Sequence, residues 1–454
     1  MARLEEDFLI TACLEPLTRA ERDGFIAVAQ GGGLDWELVL ELAKLNKVEP
    51  RLTHVLEGRG LMASVPAPIA DELRAAAEGV ERANRQRVVR ACELFAELRA
   101  AEIDVCVLKG VLFAETIYQD PLYKRMNDVD LLVRKVDLPR LPGVYRRLGY
   151  FPIAERVGDK PELNQKVSHH LPPYVHRELD CVLGTQWGLK SPLAGLKIDY
   201  DAIWSRSQPF AYHGLPVRKL ASRDNLFHVC IHLGLFKSGL RDLMDIANLI
   251  RSPSEPIDWE GFLSDVRSSG AQSHAVHALS LVQCLDPRPD TAQALAALLP
   301  EARGFYLEAA RRKSASRAVA LRTCSGHLTA VENAVTAFNM ARRFPQKAKL
   351  FADFMDALFC APEADAHRLS FAPQPTPARA ALARVQAPVQ ILRAIGAEIG
   401  AGLLAGLFVK SAVDLGVALV RWPFIPQGDG DLEAYARSLG LTLADLQRLK
   451  EAVY

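Results

Sequence analysis

The sequence predicts an α+β protein in which a small sheet backed by helices lies between helical N-terminal and C-terminal regions. Three observations support this class. Residues 1–100 and the chain after residue 205 carry apolar side chains at spacings of three and four, which is typical of amphipathic helices. Between them, short apolar runs end at Gly or follow a Pro-containing turn, which indicates strands alternating with helices. A hydrophobic share of 49% and a charged share of 24% are those of an ordinary globular chain.

We expect four regions along the chain. Residues 1–100 form a helical leader, residues 101–205 the sheet-bearing core and residues 206–370 a second helical domain. Residues 371–454 comprise a linker and C-terminal helices, because the stretch at 371–388 is rich in Pro and Ala.

Within the core, the pattern reads as strand, helix, strand and helix, followed by two segments that could add strands. The first four segments are DVCVLKG (104–110), VLFAETIY (111–118), DVDLLV (128–133) and Leu138 to Leu148, and the last two are RELDCVL (177–183) and LKIDY (196–200). This order predicts a small sheet with helices packed against it.

Composition excludes several protein classes. The formal net charge is +1, so binding to nucleic acid or membrane would need a local patch. The eight cysteines include no Cys-x-x-Cys pair, which favours reduced cysteines in a cytoplasmic protein over a disulfide framework or zinc knuckle. The first residues show no basic segment followed by an apolar one, so no signal peptide is expected.

Two later stretches have open interpretations. Residues 309–350 carry nine basic residues and one acidic residue, which fits either a solvated helical face or a patch facing RNA or phosphate. Residues 391–422 are apolar, but their longest uncharged run, Ile399–Val409, has 11 residues. A membrane-spanning helix needs about 18 or more, so we expect a buried or interfacial helix and no transmembrane segment.

The strand at 128–133 carries two carboxylates, Asp128 and Asp130, where a buried strand should be apolar. Residues two apart in a strand project to the same face, so both side chains would point together. Adjacent carboxylates repel, and one pKa should rise unless a cation neutralises the pair. The pair therefore predicts a divalent metal site for Mg²⁺ or Mn²⁺, ions that prefer oxygen ligands.

A phosphate-binding element is predicted just upstream of the carboxylates. Lys109 and Gly110 stand where a strand turns into a helix, and a glycine there lets backbone N–H groups approach a phosphate. Lys109 adds a positive charge. Arg125 lies three residues before Asp128 and could reach the same anion or pair with the aspartates.

Taken together, these motifs resemble the nucleotidyltransferases of the DNA-polymerase-beta superfamily, and more narrowly its bacterial branch known as the uncharacterised nucleotidyltransferase family. The resemblance covers roughly residues 30–260. The matching residues are Leu108-Lys109-Gly110, Tyr118, Asp120-Pro121, Arg125, Asp128 to Val133, Gly149-Tyr150, His169-His170, Pro172-Pro173, Asp201, Trp204, His228, His232 and Asp245.

The resemblance implies a short mixed sheet, with residues 101–205 as a nucleotidyltransferase core. It also implies that Asp128 and Asp130 bind metal, while Lys109 and Gly110 hold the triphosphate of a nucleoside triphosphate. Such an enzyme transfers a nucleoside monophosphate to an acceptor and releases pyrophosphate. The acceptor is left open between a small molecule, a protein and tRNA.

One feature departs from the superfamily pattern. Members usually supply a third carboxylate from a later strand, but the matching segment here reads LDCVLGTQWGL, with Gly184 in the expected place. Asp180 or Glu178 could serve if the strand is shifted, and we take Asp180 as the candidate catalytic residue. Without a third acid, the resemblance implies a nucleotide-binding protein with weak or no turnover.

Three histidines accompany these motifs: His169, His170 and His232. Each could position a substrate or act as a base, or could simply be a core or capping side chain.

Overall fold

A computed structural model gives the fold. It describes residues 2–120, 123–152, 168–233, 239–303, 344–359, 401–421 and 436–445, with isolated residues at 307–338 and 389–396.

The N-terminal region is helical, as predicted. Its helices are α1 (Ala2–Cys13), α2 (Arg19–Gln30), α3 (Trp36–Asn46), α4 (Glu49–Gly58) and α5 (Ala67–Ala100). Side chains define the helix starts: Thr18 and Glu21 form a reciprocal capping box on α2, and Asp35 accepts a hydrogen bond from the Leu38 N–H of α3.

The core holds a mixed seven-stranded sheet among the described residues, which confirms the predicted α+β class. Its strands are β1 (Val105–Val107), β2 (Val129–Val133), β3 (Tyr150–Pro152), β4 (Tyr174–His176), β5 (Val182–Gln186), β6 (Gln208–Tyr212) and β7 (Leu215–Lys219). They lie in the order β3-β4-β5-β2-β1-β7-β6. Strand β2 is antiparallel to β1 and parallel to β5, and every residue of β2 is buried. Apart from Asp130, β2 is therefore apolar, as expected for a central strand that is covered on both faces.

Helices connect and cover these strands. Helix α6 (Lys109–Thr116) follows β1 directly, α7 (Leu141–Arg147) follows β2, and α8 (Tyr200–Arg206) precedes the β6–β7 hairpin.

The structure corrects the prediction of a strand at 196–200. Asp199 instead caps α8 by accepting a hydrogen bond from the Ala202 N–H. An Asp that satisfies a helix N-terminus ends the extended segment, and this signal outweighs the short apolar alternation before it.

The sheet also continues past residue 205, where the sequence suggested only helices. Strands β6 and β7 form a hairpin whose two turn residues, His213 and Gly214, both have positive φ, and β7 pairs with β1 in parallel. Positive φ at both positions is what a tight two-residue hairpin requires. The four domain limits remain a prediction, although the hairpin belongs to the core sheet.

Helices follow again after the hairpin. They are α9 (Ser222–His232), α10 (Leu240–Arg251), α11 (Trp259–Ser269), α12 (Gln272–Leu285), α13 (Pro289–Leu298), α14 (Phe344–Phe359) and α15 (Ala401–Arg421). Helix α10 ties this region to the leader: Asn248 accepts from the Glu15 N–H and donates to the Cys13 carbonyl. Most of the basic stretch at 309–350 and all of the linker at 371–388 lie outside the described residues.

None of the described helices combines the length and apolar character needed to cross a membrane.

Candidate active site

Asp130 in β2 and Asp128, which directly precedes β2, both point over the neighbouring strand β5. Asp130 is paired in register with Gly184. A Cβ atom added at Gly184 would lie 2.5 Å from Oδ1 of Asp130 and 3.5 Å from Oδ2 of Asp128. Both side chains therefore reach the same point of the sheet, as the two-residue spacing predicts. Because Gly184 has no side chain, the Asp130 carboxylate can occupy the space that a Cβ atom would fill.

Asp130 is buried, and both of its oxygens have donors. The ammonium of Lys109 lies 3.1 Å from Oδ2, and the Gln186 side chain donates a 2.9 Å hydrogen bond to Oδ1. A buried carboxylate must be paired in this way to offset the loss of hydration. Gln186 lies two residues after Gly184 on the same strand, so both face the site.

Lys109 and Gly110 occupy the start of α6, as predicted. The Leu108 N–H donates to the Asp130 carbonyl, and α6 begins at Lys109, whose φ of 47° is unusual for a residue with a side chain. A Cβ atom at Gly110 would lie 3.3 Å from Cγ of Met126. The glycine thus lets the segment before β2 pass close to the helix start.

These residues line one cleft with a volume of about 170 Å³. It is formed by the start of α6, the segment before β2, and the facing parts of α9 and α10. Its lining residues are Lys109, Gly110, Lys124, Arg125, Met126, Asn127, Asp128, Asp130, Val229, His232, Leu233, Arg241, Asp242 and Asp245. The structure therefore brings together five of the six predicted site residues, all except Asp180.

A hydrogen-bonded network holds the wall opposite Asp130. Asp245 of α10 accepts a 2.8 Å bond from the Tyr118 hydroxyl and contacts of 2.6 and 2.9 Å from the Lys124 ammonium. Burial raises the pKa of Tyr118, and the Asp245 charge raises it further, so the phenol stays a neutral donor. Asn248 donates to the same hydroxyl. This network fixes the loop before β2 against α10.

Among the described residues, the Arg125 guanidinium makes no hydrogen bond, although its charge acts on the buried carboxyl of Glu49. Lys124 pairs with Asp245, Lys109 with Asp130, and Arg241 hydrogen-bonds Asp242. Arg125 is half-buried, so its charge is available to an anion entering the cleft.

Asp180 occupies a different position. Arg90 of α5 donates to Asp180 at 2.9 and 3.0 Å and to Glu178 at 2.5 Å, while Nδ1 of His176 lies 2.9 Å from Oδ1 of Asp180. Ligand atoms of His176, Glu178 and Asp180 all lie within 4.8 Å of one another, a spacing that could hold a metal ion. Arg90 carries one positive charge against these two carboxylates and also pairs with Glu93, so the cluster keeps a net negative charge.

The charge of Arg87 interacts with carboxylates of both sites, Asp128 and Asp180. Burial lowers its pKa, and the charges of Cys181, Asp128 and Asp180 act in the opposite direction.

Burial favours the neutral form of two histidines near the site, His169 and His228. Burial lowers the pKa of His169 to about 3, with further lowering by His170, Lys109 and Lys190. Burial likewise depresses the pKa of His228, whose ring nitrogens have no hydrogen-bond partner in the described part of the chain. Of the three predicted histidines, His232 lines the cleft, whereas Nδ1 of His170 bonds the Leu171 carbonyl.

Sequence reasoning missed the structural partners of the site. Lys124, Gln186, Arg241 and Asp242 were not singled out, and Asp245 entered only through the family resemblance. Gln186 could have been found, because it follows Gly184 by two residues in the segment that resembles the family's later strand. Lys124 and Asp245 are 121 residues apart, and no local pattern links them.

The donor set fits a divalent cation held by two carboxylates. Asp128 and Asp130 supply hard oxygen ligands at one point of the sheet, as Mg²⁺ prefers. Strand β5 supplies no carboxylate beside them, because its residues 182–186 read Val-Leu-Gly-Thr-Gln.

Comparison with known proteins gives one match. A family model described as an uncharacterised nucleotidyltransferase matches residues 32–286. No curated protein and no solved structure matches the chain.

Proposed function

Since the chain belongs to the uncharacterised nucleotidyltransferase family, we propose that it transfers a nucleoside monophosphate from a Mg²⁺-bound nucleoside triphosphate to an acceptor, with release of pyrophosphate. One observation carries the proposal: Asp128 and Asp130 converge on Gly184 beside the helix start that bears Lys109. A metal-binding position and a phosphate-binding position would therefore lie side by side in one cleft.

Asp128 and Asp130 would hold Mg²⁺ or Mn²⁺. When bound, such an ion supplies neutralisation of triphosphate charge and polarises the α-phosphoryl group. Gln186 keeps Asp130 oriented through its hydrogen bond to Oδ1. Lys124 and Asp245 hold the segment that carries Asp128 against α10.

Lys109, Gly110 and Arg125 would bind the triphosphate. Gly110 lines the cleft at the start of α6, where the first N–H groups of a helix have no intrahelical acceptor. Lys109 and Arg125 add positive charge, which the buried carboxyl of Glu49 partly offsets at Arg125. These groups would fix the phosphates and stabilise the charge that develops on the leaving pyrophosphate.

The experiment measures pyrophosphate release with Mg²⁺ and a mixture of the four ribonucleoside triphosphates. The double variant Asp128→Asn/Asp130→Asn should lose the activity, since it removes both metal-ligand charges. Unchanged Mg²⁺-dependent turnover in that variant would show that the proposed mechanism is wrong.

A second candidate function is Mg²⁺-nucleotide binding with weak or no turnover. Gly184 favours it, because the register with Asp130 puts a glycine where the superfamily has an acid. Calorimetry separates the two functions: a binding protein would bind the Mg²⁺-nucleotide while pyrophosphate release stays at background.

Two further proposals have tests of their own. Asp180 as a catalytic residue is tested by Asp180→Asn, which should abolish turnover but not Mg²⁺-nucleotide binding if Asp180 completes the site. Transfer to tRNA is tested by incubating the protein with labelled nucleoside triphosphates and total RNA and looking for labelled tRNA.

A further inference from the structure

The ammonium of Lys109 lies against the carboxylate that a second metal ion would have to share. Its Nζ is 3.1 Å from Oδ2 of Asp130, and Gln186 donates to Oδ1 at 2.9 Å, so both oxygens already have a donor. A carboxylate has about four lone-pair sites, which leaves Asp130 room to join Asp128 in holding one ion. A second ion about 2.0–2.1 Å from Oδ2 would stand beside the like charge of the ammonium, which opposes its binding.

The position of this ammonium is set by the backbone around it. The Leu108 N–H donates to the Asp130 carbonyl at 3.0 Å, so the main chain next to Lys109 is bound to the same residue as its side chain. Lys109 has a φ of 47°, a conformation that is costly for a residue with a side chain and that clusters at functional sites. Its side chain is only 15% exposed, unlike that of an ordinary surface lysine.

An independent observation concerns the ligands that a second ion would need. Mg²⁺ requires near-octahedral oxygen coordination, and β5 offers no carboxylate. A Cβ atom at Gly184 would lie 2.5 Å from Oδ1 of Asp130, so no acid fits at that position. Two other acids line the described cleft, but Asp245 is paired with Lys124, and Asp242 with Arg241. Among the described residues, the cleft therefore supplies carboxylates for one ion.

The charge balance leads to the same number. The two carboxylates and the Lys109 ammonium together carry one net negative charge, which a single divalent ion already exceeds. The charge of Arg87 acts on Asp128 as well. Little negative charge from the protein is then left to offset the dehydration of a second ion, which Mg²⁺ resists.

From these observations we propose that the site binds one divalent metal ion, and that the Lys109 ammonium takes the place of a second by contacting Asp130 and a triphosphate oxygen together. This rests on the proposed nucleotidyl transfer. An ammonium neutralises phosphate charge as a metal ion does, but it does not coordinate an oxygen and lower the pKa of an attacking group. The acceptor is therefore not activated through a second metal ion.

The test counts the metal ions that the full chain binds together with a nucleotide. Each of the four ribonucleoside triphosphates is supplied as an analogue with a methylene group in place of the α,β-bridging oxygen, so that no transfer occurs. Equilibrium dialysis gives the ratio of bound Mn²⁺ to bound nucleotide, and electron paramagnetic resonance detects the spin coupling of two Mn²⁺ ions about 3.5–4 Å apart. We expect a ratio of one and no spin coupling.

Variants of Lys109 connect this ratio to the ammonium. Lys109→Met keeps an unbranched side chain but frees Oδ2 of Asp130, so the ratio should rise to two and the two ions should be spin-coupled. Lys109→Arg keeps the positive charge and should keep a ratio of one. Lys135→Met is the matched control, because it removes an exposed lysine from the short helix after β2, and its ratio should also stay at one.

The outcomes separate this inference from the proposed function. A ratio of two with spin coupling in the unmodified chain overturns the inference, and that measurement decides even where Lys109→Met does not fold. A ratio of one in a folded Lys109→Met also overturns it, because the ammonium would not be what excludes the second ion. If two ions bind and both are lost in Asp128→Asn/Asp130→Asn, the proposed function stands without this inference. Nucleotide binding that needs no Mn²⁺ and survives that double substitution counts against the proposed function itself.

Discussion

The close approach of Asp130 to Gly184 predicts that Gly184→Ala is damaging although it adds one methyl group. The new Cβ would lie 2.5 Å from Oδ1 of Asp130, about 1 Å inside an ordinary contact, so the carboxylate must move. Movement would break its contacts with Lys109 at 3.1 Å and Gln186 at 2.9 Å. Overpacking costs ~1–3 kcal/mol and the loss of a charged hydrogen bond ~1.5–3 kcal/mol. Together they lower the expected free energy of unfolding by about 2.5–6 kcal/mol.

Urea denaturation and Mn²⁺ titration measure the two effects of Gly184→Ala together. Displacement of Asp130 should weaken Mn²⁺ binding at least about tenfold, since even changes outside the ligands themselves cost ~10–100-fold. Gly79→Ala is the matched control: Gly79 lies inside α5 with no atom near its would-be Cβ, so this change should stabilise the protein by ~0.5–1 kcal/mol. If Gly184→Ala matched Gly79→Ala in stability and metal affinity, the convergence of the carboxylates on β5 would be refuted.

Three further predictions concern the cleft and the nearby His169. Asp245→Asn should lower the free energy of unfolding by ~3–5 kcal/mol because it leaves the Lys124 ammonium buried without its charge partner, and urea denaturation checks this; a loss below 1 kcal/mol would contradict it. Arg125→Gln should change stability by less than ~0.5 kcal/mol but weaken Mg²⁺-nucleotide binding in calorimetry, whereas unchanged affinity would remove Arg125 from the triphosphate site. His169 has a folded pKa of about 3, below its unfolded value near 6.5, so its contribution to stability is present above pH 6.5 and is lost as the pH falls toward 3. His169→Asn should therefore flatten the pH dependence of unfolding in that window, and an unchanged profile would argue that His169 is accessible to protons.

The main features of the site follow from local sequence rules. Asp128 and Asp130 were predicted to share a face because their spacing matches the strand repeat, and the structure brings both to Gly184. Lys109 and Gly110 were predicted at a helix start because a glycine follows an apolar run there, and α6 begins at that point.

Other parts of the structure depend on contacts that no local pattern encodes. The Lys124–Asp245 pair joins the segment before β2 to α10, far along the chain. The β6–β7 hairpin is half-exposed at the sheet edge, so its apolar alternation is weak, and its pairing with β1 is a long-range contact. The segment at 196–200 shows the reverse case, because the capping side chain of Asp199 decides the local structure.

Asp180 shows the limit of reasoning from residue type alone. By residue type, an acid two positions before β5 is a reasonable substitute for a missing ligand. In the structure its carboxylate is bound by Arg90 and His176, partners that lie 90 residues upstream on α5 and on the adjacent strand β4.

The most direct test of the account is a Mn²⁺ titration followed by electron paramagnetic resonance, with a nucleoside triphosphate present. The account predicts that Asp128→Asn and Asp130→Asn each weaken Mn²⁺ binding by at least about tenfold, because each removes a proposed ligand. Asp23→Asn, which changes an exposed carboxylate on α2, should bind Mn²⁺ like the unmodified chain. Equal Mn²⁺ affinity in all four proteins would contradict the claim that the two strand carboxylates form the metal site.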